Sequence, residues 1–196
     1  MAVDLRDRTA IVTGSSKGIG YSIAEALARA NANVVVSARK PAEVTEAARR
    51  LEALGAGKVL GIPCDVGRLD DVRRLVGQTV EHLGGLDVLV NTAGFGIFSP
   101  VDQIDPAEWD RLIATNLSGV FYCCHEAIPH LRNSQDAWII NIASLAGKNP
   151  LAGGAAYNAS KFGLVGFSEA MMLDVRRHGI RVSYIMPGSV NTYFNG

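Results

Sequence analysis

Short apolar runs recur along the chain, separated by longer stretches in which apolar residues return every three or four positions. A short apolar run predicts a buried β-strand, and the longer spacing predicts an amphipathic helix. The predicted strands are residues 9–13, 34–37, 59–62, 86–90, 138–142 and 180–185. The predicted helices are residues 21–30, 42–54, 70–82, one long helix from 105 toward 131, and another from 155 to about 177.

Strands and helices alternate throughout, and most of the strands are apolar on both faces. This pattern predicts an α/β fold in which helices cover both faces of a parallel sheet. Right-handed crossovers then give a doubly wound (Rossmann) sheet of strand order 3-2-1-4-5-6. No linker divides the chain, so we expect residues 1–196 to form a single domain. In such a sheet the ligand binds at the carboxyl ends of the strands, near the switch between strands 1 and 4.

The composition excludes several classes of function. Lys and Arg together number 19, as do Asp and Glu, so the charge balance favours neither nucleic acid nor a membrane surface as a partner. The sequence predicts neither a secretory signal nor a membrane-spanning helix. The 3 cysteines show no disulfide or metal-ligand spacing. We therefore expect a cytoplasmic protein that binds no metal and acts on a small molecule.

A glycine-rich turn follows the first strand and opens the first helix. Gly14, Gly18 and Gly20 give the spacing G-x-x-x-G-x-G. Glycine permits a tight turn and a close backbone approach, and a helix N-terminus attracts pyrophosphate. No Gly-Lys-Ser/Thr follows, so this is not the loop of a nucleotide triphosphatase. Between a strand and a helix, the turn indicates a dinucleotide site.

Tyr157 and Lys161 lie four residues apart at the start of a predicted helix, which places both side chains on one face. A phenol is a weak acid, with an ordinary pKa of about 10. A nearby ammonium favours the phenolate, so the pair is able to exchange a proton with a substrate oxygen near neutral pH. The alternative is a tyrosine and a lysine on an ordinary amphipathic helix.

Taken together and in order, the motifs resemble the short-chain dehydrogenase/reductase family over essentially the whole chain. Residues 13–20 (TGSSKGIG) are similar to its cofactor turn. Residues 91–94 (NTAG) are similar to its Asn-Asn-Ala-Gly, with Thr92 in place of the second Asn. The catalytic four of the family are matched by Asn116, Ser144, Tyr157 and Lys161, and its nicotinamide segment by Pro187-Gly188 followed by Thr192.

The resemblance implies a role for each catalytic residue. Tyr157 would protonate a carbonyl oxygen, and Lys161 would lower its pKa and bind the nicotinamide ribose. Ser144 would donate a hydrogen bond to the same oxygen. Asn116 would lie at a local helix distortion that holds a water in a proton relay. The alternatives are a turn residue at Ser144 and an exposed polar residue at Asn116.

The end of the second strand indicates NADP rather than NAD. An NAD site carries an acid there for the ribose hydroxyl, but residues 37–40 read SARK, and no carboxylate precedes Glu43. Arg39 is able to bind a 2′-phosphate bidentately, and Lys17 adds a second charge. The alternative is a solvated basic turn. Counting residues implied by the resemblance, the predicted cofactor set is Gly14, Ser16, Lys17, Gly18, Ile19, Gly20, Arg39, Asp65, Val66, Asn91, Ala93, Gly94, Tyr157, Lys161, Pro187, Gly188, Val190 and Thr192.

The resemblance thus implies an NADP-dependent oxidoreductase that interconverts a carbonyl and a secondary alcohol. The other readings are a dinucleotide-binding sensor or scaffold without turnover, and an enzyme of dehydration or epimerisation that uses the same tyrosine. The family usually continues beyond a position like Gly196 into a lid, a helix and a seventh strand, so we expect a shortened or partial chain. An apolar substrate pocket is suggested by Phe95, Ile97, Phe98, Leu145, Leu151 and Tyr193.

Apolar residues occupy more than one face of the last two long helices, 105–131 and 155–177. Helices with this pattern are buried on more than one side. In the family these helices form a two-fold interface, so we expect a homodimer or homotetramer. The alternative is that the extra apolar residues pack within one subunit. A charge at Phe167 or Met171 would distinguish them if that position faces the partner.

Overall fold

The computed structural model describes residues 4–54 and 57–190. Its strands are β1 (Thr9–Thr13), β2 (Asn33–Ser37), β3 (Val59–Gly61), β4 (Val88–Asn91), β5 (Trp138–Ile142) and β6 (Arg181–Ile185). Its α-helices are α1 (Gly18–Arg29), α2 (Pro41–Glu52), α3 (Leu69–Leu83), α4 (Pro106–Ile113), α5 (Gly119–Leu131) and α6 (Ala155–Val175).

The strands form one parallel sheet of order β3-β2-β1-β4-β5-β6, which confirms the predicted topology. The chain winds outward from β1 to β3 and then returns to place β4 on the other side of β1. The loops that leave β1 and β4 therefore diverge at their carboxyl ends and open a crevice between them.

Two apolar cores, one on each face of the sheet, explain why the strands are apolar on both sides. Ile11 pairs in register with Val35 and Leu89, and these side chains belong to the core that includes buried residues of α3, α5 and α6. The next residue, Val12, pairs with Val36 and belongs to the core that includes buried residues of α1 and α2. Successive strand residues thus enter opposite cores.

The predicted long helix from 105 toward 131 is interrupted in the structure. Asp105 caps α4 as predicted, since its side chain accepts from the backbone N–H of Ala107 at 2.9 Å. A π-helical segment, Ala114–Ser118, then separates α4 from α5. Asn116 lies in this π-helical segment, whose turn is wider than that of an α-helix. Its position agrees with the local helix distortion that the family resemblance implied.

Helix α1 also differs from its prediction, because it begins at Gly18 rather than near Tyr21. Its first turn packs directly on the glycine-rich turn. A Cβ atom on Gly20 would lie 2.3 Å from the carbonyl oxygen of Gly14, so no other residue fits at position 20 without displacing the backbone.

Within the described residues, no helix is long and apolar enough to cross a membrane. The same part of the chain holds no group of three His, Cys, Asp or Glu side chains placed to bind a metal ion. Cys64, Cys123 and Cys124 are unpaired and buried.

Candidate active site and cofactor cavity

A cavity of about 880 Å³ runs along the carboxyl ends of the strands, across the crevice between β1 and β4. This volume is typical of a small-molecule or cofactor site. Of the predicted site residues, those that line it are Gly14, Ser16, Lys17, Gly18, Ile19, Gly20, Arg39, Asp65, Val66, Ala93, Gly94, Ser144, Tyr157, Lys161, Pro187, Gly188 and Val190. Thr192 lies outside the described residues.

Glycine residues at the floor of the cavity allow a ligand to approach the backbone closely. Gly14 has a φ of +64°, and a Cβ atom there would lie 2.7 Å from Cα of Ala93. Gly18 has a φ of +60°. The N-cap of α1, Lys17, makes no side-chain capping hydrogen bond, so the first N–H groups of the helix are available to an anion. A dinucleotide pyrophosphate fits this arrangement.

Thr13 joins the two motifs that flank the crevice, and sequence reasoning did not assign it a role beyond the cofactor turn. Its buried hydroxyl oxygen accepts from the backbone N–H groups of Thr92 at 3.1 Å and Ala93 at 3.2 Å. The hydroxyl thereby ties the glycine-rich turn to the loop after β4. A threonine at the last position of the buried first strand was the available signal.

The end of the cavity beside β2 carries most of its charge and is lined by Ser16, Lys17, Arg39, Lys40 and Glu43. We call it the adenosine end, after the part of a dinucleotide that the family resemblance leads us to expect there. Lys40 pairs with Glu43 at 2.9 Å, whereas Arg39 and Lys17 form no ion pair within the described residues. Both of these unpaired cations are exposed. Two cations are therefore available to an anionic ligand.

Asp65 and Val66 follow β3 and line the cavity next to the adenosine end. One carboxylate oxygen of Asp65 accepts from the backbone N–H of Gly67 at 3.0 Å. The side chain of Val66 is 6% exposed, so it contributes a mostly buried apolar wall.

At the opposite, catalytic end, Tyr157 lies in the first turn of α6 and is 8% exposed. Burial raises the pKa of its phenol, and a hydrogen bond with the Ser144 side chain acts in the opposite direction. The lower pKa expected from the spacing of Tyr157 and Lys161 is therefore not the net effect in the structure, because burial is the largest influence and it raises the pKa. The ammonium nitrogen of Lys161 lies 5.7 Å from the centroid of the Tyr157 ring.

Lys161 is a buried cation on the cavity wall, only 6% exposed. Its ammonium donates to the carbonyl oxygen of Ile142 at 2.9 Å and meets no carboxylate among the described residues. Burial lowers its pKa to about 8. An ammonium has three donors, so it retains capacity for a ligand hydroxyl or for the phenolate of Tyr157.

Asn116 is 1% exposed, which excludes the alternative of an exposed polar residue. Its side chain pairs with the backbone of Phe95, accepting from the N–H at 3.0 Å and donating to the carbonyl at 2.9 Å. It also donates to the hydroxyl of Ser160 at 3.1 Å, and Ser160 donates to the carbonyl of Tyr157 at 2.8 Å. Asn116 thus supports the wall from behind, while Thr115 lines the cavity.

Asn91, predicted as a cofactor contact, lies beneath the cavity rather than on its lining. Its amide donates to the side chain of Asn141 at 2.9 Å, and Asn141 donates to Ser168 at 2.9 Å. All three are buried, so this chain joins β4, β5 and α6 inside the core. An asparagine inside an apolar strand requires such partners, and only the register reveals them.

Asn158 was missed as a positioning residue although it lies within the Tyr157 motif. Its amide donates to the carbonyls of Ala146 at 2.6 Å and Asn149 at 2.9 Å. Its oxygen accepts from the N–H of Leu151 at 3.0 Å. One side chain therefore holds the loop after Ser144 against α6, beside Tyr157.

Apolar side chains also line the catalytic end of the cavity. The ring of Phe98 lies 5.5 Å from that of Tyr157, centroid to centroid. Phe95, Leu145, Leu151 and Val190 also line the cavity, whereas Ile97 does not and Tyr193 lies outside the described residues. Within the described part of this wall, Lys161 is the only charged side chain.

Comparison with known proteins agrees with this geometry. A family model described as short chain dehydrogenase matches residues 8–196. The solved structure of a metagenomic short-chain oxidoreductase in complex with NADP aligns with a TM-score of 0.89 and 41% identity, covering 94% of this chain and 84% of that chain.

Two bacterial relatives have sequence identities to this chain of a little over one-third. The 3beta-hydroxysteroid dehydrogenase 1 of Eggerthella lenta is 37% identical, over 98% of this chain and 74% of that protein. The D-beta-hydroxybutyrate dehydrogenase of Rhizobium meliloti is 36% identical, over 94% of this chain and 72% of that protein. The family match spans nearly the whole chain, and the cavity carries the Ser144, Tyr157 and Lys161 set. The chain therefore belongs to the short-chain dehydrogenase/reductase family and is an NAD(P)-dependent oxidoreductase.

Proposed function

We propose that the protein is an NADP-dependent oxidoreductase that interconverts a neutral, apolar carbonyl compound and its secondary alcohol. The observation that carries the proposal is the phenol of Tyr157 on the wall of a dinucleotide-sized cavity, with the Ser144 hydroxyl and the Lys161 ammonium on the same wall. The groups that a carbonyl reduction requires are thus present on one surface, and the glycine-rich turn extends from it.

The chain's residues divide the work of proton transfer. When bound in this cavity, NADPH would supply the hydride that reduces the carbonyl carbon. Ser144 and Tyr157 donate hydrogen bonds to the carbonyl oxygen, which fixes its position. Tyr157 transfers its proton to that oxygen as negative charge develops there, and the product is the neutral alcohol. The charge left on the phenolate is stabilised by the ammonium of Lys161.

The apolar wall favours a neutral substrate. A carboxylate substrate requires a cation near the reacting centre, because burying an unpaired charge is unfavourable. Lys161 is directed to the Ile142 carbonyl and to the tyrosine side of the wall. Between the substrates that the two relatives' names print, a steroid resembles our proposed class more closely than hydroxybutyrate does.

The preference for NADP is supported by Arg39 and Lys17, which form no ion pair within the described residues, and by the neighbour crystallised with NADP. Glycine-turn N–H groups, Lys161 and the Pro187-Gly188 segment would hold the remainder of the cofactor.

The direct test is NADPH consumption with a panel of neutral ketones, beside acetoacetate as a charged comparison. We expect turnover of the neutral ketones and at least tenfold lower kcat/KM for acetoacetate. Tight NADPH binding with no turnover of any carbonyl would favour the sensor or scaffold instead. A product that forms without net cofactor oxidation would favour dehydration or epimerisation.

We also propose a homodimer or homotetramer formed through α5 and α6. Phe162 and Leu173 on α6 are 46% and 61% exposed, and Phe121 on α5 is 47% exposed. Phe162 and Leu173 lie eleven residues apart, about three turns, and so share one helix face. Exposed apolar residues concentrated on one surface are typical of an interface.

The structure changes the choice of test residue for this interface. Met171, one of the two positions suggested above, is 6% exposed and packs in the protein's own core. We therefore choose Leu173→Glu, which should convert the oligomer to a monomer in sedimentation at micromolar concentration. Glu169→Gln on the same helix changes charge without adding one to the apolar surface and serves as a control. A monomeric wild-type protein would contradict the proposal.

The cysteines support a reducing compartment, and we propose the cytoplasm. Burial raises the pKa of Cys64 and of Cys124 to about 12, so both remain protonated thiols at neutral pH. Buried, protonated thiols behave as small apolar side chains and need no disulfide partner.

A further inference from the structure

Glu43 is a carboxylate at the adenosine end and the first carboxylate after β2 in the sequence. It lies in the first turn of α2 and lines the cavity. One carboxylate oxygen accepts from the Lys40 ammonium at 2.9 Å, and the other accepts from the Ser16 hydroxyl at 3.3 Å. The carboxylate thus links the glycine-rich turn to the residue that follows Arg39.

The charges that face Glu43 come from the glycine-rich turn on one side and from the residues after β2 on the other. Lys40 and, more weakly, Lys17 and the Ser16 hydroxyl lower the pKa of the carboxyl, so it is ionised at neutral pH. Arg39 precedes Lys40 in the chain and carries the remaining positive charge. Three cations and one carboxylate therefore surround the place where an adenosine ribose would enter.

We propose that Glu43 is a specificity-determining residue that competes, as an anion within the protein, with the 2′-phosphate of NADP for the Ser16 hydroxyl and the Lys40 ammonium. This inference rests on the proposed use of the cavity as an NADP site. Under it, Glu43 limits the preference for NADP over NAD that Arg39 and Lys17 create.

The competition follows from donor numbers and charge. A serine hydroxyl has one proton to donate, so Ser16 is able to serve either Glu43 or a phosphate oxygen. A phosphate carries a charge of about −1.5 to −2 at pH 7, and the neighbouring carboxylate repels it. The ribose hydroxyl of NAD has no charge and is able to donate to the carboxylate instead. Glu43 therefore disfavours one cofactor and not the other.

Glu43→Gln tests this directly, because glutamine keeps the shape and an acceptor oxygen while removing the charge. Glu46→Gln is a matched control, since Glu46 also lies on α2, is exposed, and pairs with Arg49 at 2.9 Å, but does not line the cavity. The probes are adenosine 2′,5′-bisphosphate and adenosine 5′-monophosphate, titrated by calorimetry, followed by NADP⁺ and NAD⁺. These measurements need no turnover.

We expect Glu43→Gln to bind the 2′,5′-bisphosphate and NADP⁺ about tenfold more tightly, which corresponds to about 1.4 kcal/mol. Binding of the 5′-monophosphate and NAD⁺ should be unchanged or slightly weaker, and Glu46→Gln should match the wild type with all four. The gain should shrink at high salt, because Lys17, Arg39 and Lys40 are exposed and Glu43 is only half-buried.

Unchanged or weaker binding of the 2′,5′-bisphosphate by Glu43→Gln, in a variant with the wild-type unfolding temperature, would overturn the role of Glu43. An equal gain for the 5′-monophosphate would also overturn it, because the effect would then not depend on the 2′-phosphate. The cofactor proposal fails separately, if the wild-type protein binds NAD⁺ as tightly as NADP⁺.

Discussion

The two ends of the cavity hold their polar side chains in opposite environments. At the catalytic end Tyr157, Lys161 and Asn116 are each less than one-tenth exposed and are held by hydrogen bonds from several elements. At the adenosine end Lys17 and Arg39 are exposed and form no ion pair within the described residues. Buried groups act through fixed geometry and desolvation, whereas exposed charges act through water and are screened by salt. Substitutions at the first end should therefore have large effects, and those at the second should have smaller, salt-dependent ones.

The largest expected effect is at the catalytic end. Tyr157→Phe removes only the phenol proton from the buried wall, so we expect kcat to fall about 10³-fold. The affinity for NADPH, measured by fluorescence titration, should remain within a few-fold of wild type. A variant that retains most of the wild-type rate would remove Tyr157 as the proton donor.

The next effect tests whether the buried support behind the wall matters. Asn116→Ala deletes the hydrogen bonds to Phe95 and Ser160, and we expect kcat to fall about 10²-fold through misplacement of the wall. The lost buried partners should also lower the free energy of unfolding by about 1–3 kcal/mol, measured in urea.

Ser118→Ala is the control for Asn116→Ala. It lies in the same π-helical segment, and its side chain makes no hydrogen bond with the described residues. We expect near wild-type turnover. Equal losses in the two variants would mean that the segment tolerates no change, and that the Asn116 side chain has no particular role.

At the adenosine end, Arg39→Ala should weaken NADPH binding about tenfold while leaving NADH within about twofold, because a charge-assisted hydrogen bond contributes about 1.5–3 kcal/mol and exposure places this one at the low end. The loss should diminish at high salt. Arg49→Ala, an exposed arginine on α2 away from the cavity, is the control. An unchanged cofactor preference in Arg39→Ala would assign the adenosine end no part in it.

The smallest expected effect measures the desolvation of Lys161 itself. Its folded-state pKa of about 8 lies below the ordinary value of 10.5. Below pH 8 the folded protein holds a buried charge that the unfolded chain keeps in water. Between pH 8 and 10.5 the folded protein has lost this proton and the unfolded chain retains it, so stability rises with pH.

From pH 7 to 9, the wild type should therefore gain about 1 kcal/mol of unfolding free energy relative to Lys161→Met. Urea unfolding of both proteins at each pH measures the difference. A constant difference between them would show that Lys161 titrates in the folded protein as it does in water.

Local sequence predicted much of this protein, because the signals are carried by neighbouring residues. The apolar runs predicted all the strands of the described sheet, since a strand buried on both faces must be apolar on both. The alternation of strands with helices, joined by right-handed crossovers, predicted the strand order. The glycine spacing predicted the turn that lines the cavity, and the i to i+4 spacing of Tyr157 and Lys161 predicted that both lie on its wall. The lack of a carboxylate between β2 and Glu43 indicated NADP.

Tertiary structure decided what depends on residues far apart in the chain. Asn116 reaches Phe95 and Ser160 only because the π-helical segment packs between the β4 loop and α6. Asn91 donates a hydrogen bond to Asn141 in the core instead of lining the cavity, because β4 and β5 pair with these two residues in register. Burial raises the pKa of Tyr157, whereas the spacing of Tyr157 and Lys161 alone suggested a lower pKa. Sequence thus determined which groups are present on each element, while packing determined which of them are desolvated and which meet.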